Sequence, residues 1–266
     1  MNYEDKKRLL LQIMETYCKR DVVIAFSGGI DSSLLLKLAC VAAQKSKSTI
    51  YAVTIQSELQ PKNDLKIAAN VAAETGAKHV VLSIQELQET QIQNNPKERC
   101  YLCKKYLFKQ LKQFAAQNGA EAIIEGTNED DLHVYRPGIR AIRELGILSP
   151  LTEVHMTKKE VRMLAKEYGI SVADRPSVPC LATRFPYGTK LTLDALQKVE
   201  QAEMYLQKFG NLRVRIHGDI VRIELEQEAM EQLMDQRKTV VAFLKQLGYH
   251  YITLDLEGFR SGSMDE

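Results

Sequence analysis

The chain predicts an α/β fold, a doubly wound parallel sheet joined to a smaller C-terminal α+β domain, and three observations predict it. Apolar runs at 22–26, 49–55, 79–84 and 122–125 alternate with helical periodicity at 32–44, 64–75 and 96–117, the pattern of parallel strands linked by crossover helices. Beyond a proline-bearing loop at 175–188 the texture changes. A helix over 192–208 leads into two alternating stretches around Gly218-Asp219, which signal an antiparallel hairpin. A length of 266 residues suits either one large α/β domain or one medium domain with a smaller partner, and either is enough to bury a core. The boundary falls near residue 186, giving domains 1–185 and 186–266.

In chain order, the first strand runs into Ser27-Gly28-Gly29-Ile30-Asp31-Ser32-Ser33. Glycines let backbone approach a ligand closely, the hydroxyls of Ser27, Ser32 and Ser33 can donate, and the following helix aims free N–H groups and its positive end at an anion. The segment lacks the Gly-Lys-Ser/Thr of a Walker loop and the three-glycine spacing of a dinucleotide site. Asp31 suits a Mg²⁺ ligand or a helix cap. Asn95-Pro96-Lys97-Glu98 supplies an N-cap, a first-turn proline and a capping acid, so a helix is expected to begin at Pro96 and carry Cys100 and Cys103 on one face with Leu107, Leu111 and Phe114. After the fourth strand, Thr127, Asn128 and Asp130 stand at the sheet edge where ligands gather. A further strand is expected at 147–151, and the capping box from Thr157 to Glu160 starts a helix ending near Gly169. Cys180 sits in the proline-bearing loop. The hairpin, one more helix and a strand at 249–254 complete the second domain.

Hydrophobic residues make up 45% and charged residues 26% of the chain, which places it among globular proteins rather than disordered ones. Lys plus Arg number 36 against 34 Asp plus Glu, a net charge of +2, too small to argue for bulk nucleic-acid binding. The amphipathic N-terminus has no apolar signal core and no run reaches transmembrane length, so a cytoplasmic protein without membrane partners is expected. Five cysteines in a reducing compartment are not a disulfide framework. Cys18 and Cys40 lie in apolar helical stretches and read as core. Cys100 and Cys103 taken alone read as buried small hydrophobes as readily as functional thiols, with a redox pair as a third reading. With Cys180 they offer three thiolates, enough to hold a 4Fe-4S cluster with one iron open, whereas zinc would want a fourth protein ligand. His133, His155 and His217 have no ligand-like spacing and read as ordinary polar residues.

With these motifs in place the chain resembles the PP-loop ATP pyrophosphatases, of adenine nucleotide alpha hydrolase-like fold. Within them it resembles the ATP-dependent sulfur insertases of nickel-pincer nucleotide biosynthesis, which mature the lactate racemase cofactor. The likeness rests on the Ser27 to Ser32 loop, Arg99-Cys100-Tyr101-Leu102-Cys103-Lys104, Glu125-Gly126-Thr127-Asn128-Glu129-Asp130-Asp131, Arg136-Pro137-Gly138, Pro179-Cys180-Leu181-Ala182-Thr183-Arg184, Arg213-Val214-Arg215-Ile216-His217-Gly218 and Gly258-Phe259-Arg260-Ser261-Gly262-Ser263-Met264.

The resemblance implies that ATP is cleaved to AMP and pyrophosphate, that a carboxylate of pyridinium-3,5-dicarboxylate mononucleotide is activated as an acyl adenylate, and that sulfur displaces AMP. Two versions of the family exist. One sacrifices the sulfur of a single cysteine, matching Cys180, and the other holds a 4Fe-4S cluster on three cysteines, matching Cys100, Cys103 and Cys180. Having all three, this chain points to the cluster version and so to an external sulfide donor. The resemblance further implies that Ser27, Gly28, Gly29 and Ser32 hold phosphates, that Asp31 binds Mg²⁺, and that Thr127, Asn128 and Asp130 meet the nucleotide. Arg99 and Arg184 become candidates for the substrate's carboxylate or phosphate, with a plain salt bridge as the alternative. Arg213 and Arg215 match an arginine pair for substrate phosphate, against a solvated strand surface. It also implies a homo-oligomer, a hexamer joined through the small C-terminal domains. A tRNA 2-thiolation enzyme, an amidotransferase partner such as a GMP or NAD synthetase, and a non-catalytic adenine-nucleotide sensor are the competing readings.

Overall fold

The computed structural model describes residues 1–176, 178–260 and 262–264; Ser177 of the proline-bearing loop and Ser261 of the C-terminal motif lie outside the described residues. The chain divides into two compact units, one formed by Met1–Thr90 with Glu98–Val178 and the other by Gln91–Lys97 with Pro179–Glu266.

The first unit is built on four parallel strands, β1 (Val22–Ala25), β2 (Ile50–Gln56), β3 (Lys78–Ser83) and β4 (Ala122–Ile124), in the order β3-β2-β1-β4. Its helices are α1 (Tyr3–Tyr17), α2 (Ile30–Ser46), α3 (Lys62–Thr75), α4 (Glu86–Glu89), α5 (Arg99–Gln117), α6 (Gly138–Glu144), α7 (Pro150–Glu153) and α8 (Lys158–Glu167). Strand β1 is apolar throughout because the sheet is covered on both faces. Val22 and Ile24 enter one core with Leu10, Met14, Leu35 and Leu164, while Val23 enters the other with Phe108, Leu111 and Ile142. Each fully buried side chain of this kind contributes about 1.5–3 kcal/mol. Strand order reverses at β1, so the carboxyl ends of β1 and β4 flank the topological switch point where such sheets bind ligands.

Two expectations for this unit need correction. Helix α5 begins at Arg99 rather than Pro96, with Glu98 at its N-cap. Asn95 does not cap it, because its backbone turns to a left-handed φ of 47° and its buried amide donates to the Phe185 and Pro186 carbonyls at 3.0 and 2.8 Å. The strand expected at 147–151 shrinks to a single bridge between Leu148 and Ile124. Pro150, which has no N–H to extend a ladder, instead opens α7. The capping box holds as expected, with Thr157 accepting from the Glu160 backbone and α8 following.

In the second unit α9 (Leu193–Leu206) is capped by Thr192. It precedes the antiparallel pair β5 (Leu212–His217) and β6 (Ile220–Leu225), which turns at Gly218 with φ 60°. The expected single helix is two, α10 (Met230–Asp235) and α11 (Arg237–Gln246), because Gln236 leaves helical geometry at φ −96°, ψ 10°. Strand β7 (Tyr251–Leu254) then pairs parallel with β6, giving the order β5-β6-β7. Among the described residues no helix is long and apolar enough to cross a membrane.

Candidate functional site

The loop between β1 and α2 is shaped by where its glycines stand. Gly28 adopts φ +70°, and a Cβ there would lie 2.9 Å from Ala68 Cα, so both backbone and packing demand glycine. Gly29 is the N-cap of α2 and its carbonyl accepts the Ser33 N–H at 2.9 Å. Hydroxyls close the loop: Ser27 Oγ lies 3.2 Å from Ser32 Oγ and accepts the Gly29 N–H at 3.3 Å, while Ser32 Oγ donates to the Gly29 carbonyl at 3.1 Å. The first N–H groups of α2 lack intrahelical acceptors by geometry and open toward the loop mouth. A triphosphate fits this frame, because it needs close backbone approach and several N–H and O–H donors.

Asp31 does not cap α2, since Gly29 does. Its carboxylate instead accepts from Asn128 Nδ2 at 3.2 Å and forms an ion pair with Lys158 Nζ. The segment after β4 presses against this point. A Cβ on Gly126 would lie 2.9 Å from Asp31 Cβ and 3.0 Å from the Ser32 nitrogen. Thr127 donates its N–H and hydroxyl to the buried Glu125 carboxylate at 3.0 and 2.7 Å, so its side chain braces the turn. A cavity of about 310 Å³ opens beside it, lined by Leu132, Ile139, Ile142 and Leu148 among others. Asn128 Oδ1 accepts the Asp130 N–H at 3.0 Å, and the Asp130 carboxylate accepts the Lys158 N–H at 2.9 Å. Thr127, Asn128 and Asp130 are thus gathered at the sheet edge, the latter two tied to Asp31 directly or through Lys158.

Lys158 was not singled out from the sequence. The signal was present, because a lysine in the first turn of a helix opposes the macrodipole and calls for an anionic partner elsewhere. Nearby, His133 and His155 converge on Glu129 at 3.0 and 2.9 Å, and hydrogen bonds from His155 and then His133 hold that carboxyl below its usual range.

Cys100 and Cys103 lie in the first turns of α5, both half-buried, with Leu111 buried farther along the same helix. Burial pushes the nearby Glu86 carboxyl up, and hydrogen bonds from the Cys103 thiol and from Ser57 (2.6 Å) pull it part of the way back. Arg99, itself buried, adds a favourable charge to that acid. Glu86 is a second participant the sequence did not reveal. By contrast, burial pushes the Cys18 thiol up to about 12 and raises that of Cys40, which suits their reading as core.

Cys180 belongs to the second unit and precedes a short 3-10 turn, Leu181–Arg184. Its carbonyl accepts from the Thr183 N–H, the Thr183 hydroxyl and Arg184 Nη1. Arg184 is 0% exposed, forks onto Glu203 with two contacts of 2.9 Å and donates to the Pro179 carbonyl at 2.9 Å. That is the salt-bridge alternative, with the guanidinium holding the cysteine loop in shape. Arg213 and Arg215 share a face of β5 and are buried, so the solvated-surface alternative fails for them. Burial and then the neighbouring Arg184 push Arg213 down to about 10. Arg215 is lowered by burial but pairs with Glu224 at 3.0 Å and donates to the Thr183 carbonyl at 3.1 Å. The second unit therefore concentrates Arg184, Arg213 and Arg215 against two carboxylates.

Cys100 and Cys103 fall in the first unit and Cys180 in the second, and among the described residues neither unit alone gathers three His, Cys, Asp or Glu side chains placed to hold a metal ion. Each of these thiols is half-buried, and a thiol donor suits iron and sulfur rather than a hard cation.

Comparison with known proteins bears on this arrangement. Residues 2–135 match the PP-loop domain family. The chain is 39% identical over 247 residues to the pyridinium-3,5-bisthiocarboxylic acid mononucleotide synthase of Lactiplantibacillus plantarum, covering 92% of this chain and 89% of that one. It is 38% identical over 247 residues to an uncharacterised protein of Synechocystis, covering 91% of each. A more distant likeness, 28% identity over 169 residues, links 58% of the chain to 40% of the argininosuccinate synthase of Pyrococcus furiosus.

Proposed function

Because the chain belongs to the PP-loop family, and within it to the ATP-dependent sulfur insertases of nickel-pincer nucleotide biosynthesis, we propose that it adenylates a carboxylate of pyridinium-3,5-dicarboxylate mononucleotide and exchanges AMP for sulfur. The observation that carries this reading is 39% identity to the synthase across 92% of the chain. The glycine-shaped loop at Gly28, which suits a triphosphate, supports it.

In this reading Ser27, Gly28, Gly29 and Ser32 bind the β and γ phosphates of ATP, and Asp31 carries Mg²⁺. A substrate carboxylate oxygen attacks the α phosphorus. The bond to the bridging oxygen breaks, and its electron pair leaves on pyrophosphate. Thr127, Asn128 and Asp130 shape the nucleotide's edge of the site. Arg213 and Arg215 hold the substrate phosphate on a buried strand face, with Arg184 ordering the Cys180 loop and Arg99 beside the Cys100 and Cys103 pair. A hydrosulfide equivalent then adds to the acyl carbon, AMP departs, and a thiocarboxylate results. A 4Fe-4S cluster on Cys100, Cys103 and Cys180 would supply that sulfide, recharged by an external donor. The enzyme acts in the cytoplasm as a homo-oligomer, a hexamer assembled through the β5-β6-β7 sheet, whose outer strands can be covered by partner subunits.

The test is anaerobic reconstitution with iron and sulfide, then incubation with ATP, Mg²⁺ and the dicarboxylate mononucleotide. AMP, pyrophosphate and a product in which sulfur replaces oxygen are expected. ADP and orthophosphate, or AMP formation without a sulfur-bearing product, would refute it.

A further inference from the structure

We propose that Lys158 is the mobile cation of the pyrophosphate site: it neutralises Asp31 while the site is empty, and passes to the departing pyrophosphate when Mg²⁺ takes that carboxylate. The proposal rests on the reading of the Ser27 to Ser32 loop as an ATP site.

The loop offers hydroxyls and N–H groups but no lysine of its own. Pyrophosphate leaves with the electron pair of the broken bond, so charge accumulates where a single divalent ion does not neutralise it. Lys158 comes from a distant segment to stand on Asp31, the second residue of α2. Its position fits a charge that moves. The backbone is fixed, because its N–H donates to Asp130 at 2.9 Å, and the cap Thr157 is locked to Glu160, which accepts Lys6 at 2.9 Å. The side chain is less confined, being 30% exposed in the pair with Asp31. A lysine stem suits such a swing, as a flexible carrier of a compact charge. Asn128 bonds the other oxygen of Asp31 at 3.2 Å, so the carboxylate keeps its orientation when Lys158 leaves. At the start of a helix the ammonium also opposes the dipole, a cost that an anionic ligand offsets.

A static strut joining α8 to α2 is the competing account, and binding measurements separate the two. Binding of Mn²⁺ alone, read by electron paramagnetic resonance, should tighten in Lys158→Met, because the ammonium no longer competes for Asp31. Calorimetry with Mg²⁺ and α,β-methylene-ATP, which cannot be cleaved, should show affinity falling about tenfold or more, the scale of one charge-assisted hydrogen bond. Lys158→Arg should recover part of that affinity. Asp31→Asn should bind the analogue more tightly than wild type in the presence of EDTA, since the ammonium is released toward phosphate. Single-turnover pyrophosphate release by Lys158→Met should slow more than analogue binding weakens. If Lys158→Met changes neither Mn²⁺ nor analogue affinity and only lowers the unfolding temperature, Lys158 is a strut and the proposal is wrong. Should wild type form no AMP and pyrophosphate, the ATP reading of the loop fails, while the Mn²⁺ comparison still decides whether Lys158 competes at Asp31.

Discussion

Replacing Gly28 by alanine tests the loop at its most constrained point. The residue sits at φ +70°, and the new Cβ would meet Ala68 Cα at 2.9 Å, Ala68 N at 3.0 Å and Ala68 Cβ at 3.1 Å. All three neighbours belong to α3, and two are backbone atoms that cannot rotate away. A left-handed conformation costs a residue with a side chain about 1–2 kcal/mol. Forcing a carbon into packed surroundings adds about 1–3 kcal/mol, for a total near 2–5 kcal/mol. In a domain of this size each kcal/mol lowers the melting temperature by about 2–4 °C, so scanning calorimetry should find a fall of about 4–20 °C. If the loop yields instead of the fold, stability survives but ATP affinity does not. Gly29→Ala is the matched control. Its Cβ meets only Ser27 Oγ at 3.3 Å, and its φ of −78° suits any residue, so it should melt close to wild type. Gly28→Ala with both melting temperature and ATP affinity unchanged would refute the reasoning.

Three further outcomes are expected. Arg184→Met leaves Glu203 without its fork and Cys180's carbonyl without one donor; breaking such a buried pair costs about 3–5 kcal/mol, and urea unfolding should register it together with faster alkylation of Cys180, whereas a loss under about 1 kcal/mol would deny Arg184 its ordering role. Alanine at Cys100, Cys103 or Cys180 should in each case abolish the reconstituted cluster's absorption and sulfur transfer while ATP still binds; if Cys100→Ala and Cys103→Ala each transfer one sulfur per chain and wild-type Cys180 emerges lighter by the mass of H₂S, Cys180 is itself the donor. Burial lowers the His79 pKa from 6.5, so the folded state favours the neutral ring; its stabilisation is complete above pH 6.5 and is lost as pH falls toward the depressed value. Urea titrations at pH 8 and pH 5.5 should show that His79→Gln reduces this loss, and an unchanged pH slope would remove His79 from the account.

Much of the first unit was legible because its signals are local. Strand β1 is apolar at every position, the capping box marks α8 within a residue, and the glycine pair announces the loop. Asn95 misled because asparagine before proline fits an N-cap and a left-handed turn equally well, and only its acceptors at Phe185 and Pro186 decide between them. The stretch at 147–151 failed for a different reason, since apolar content cannot offset the missing N–H of Pro150. Lys158 and Glu86 lay beyond local reading because their partners, Asp31 and Cys103, are remote in sequence. The alternation of Arg213 and Arg215 was visible, yet their burial depends on what packs over β5, which one strand does not encode.

The return of Gln91–Lys97 to the second unit affects how this protein can be made. Asn95 emerges from the ribosome about ninety residues before the carbonyls it will bond, and the Gln93 carbonyl waits still longer for the Leu191 N–H. Contacts so distant in sequence form late and close slowly. The stretch that leads into the cysteine helix must therefore stay unfinished through synthesis of α5, α6, α7 and α8, and settle only when the Cys180 loop has passed. A chain cut at Val178 would never receive those partners, so expressing the two halves as consecutive fragments should yield a first half with a frayed entry to α5.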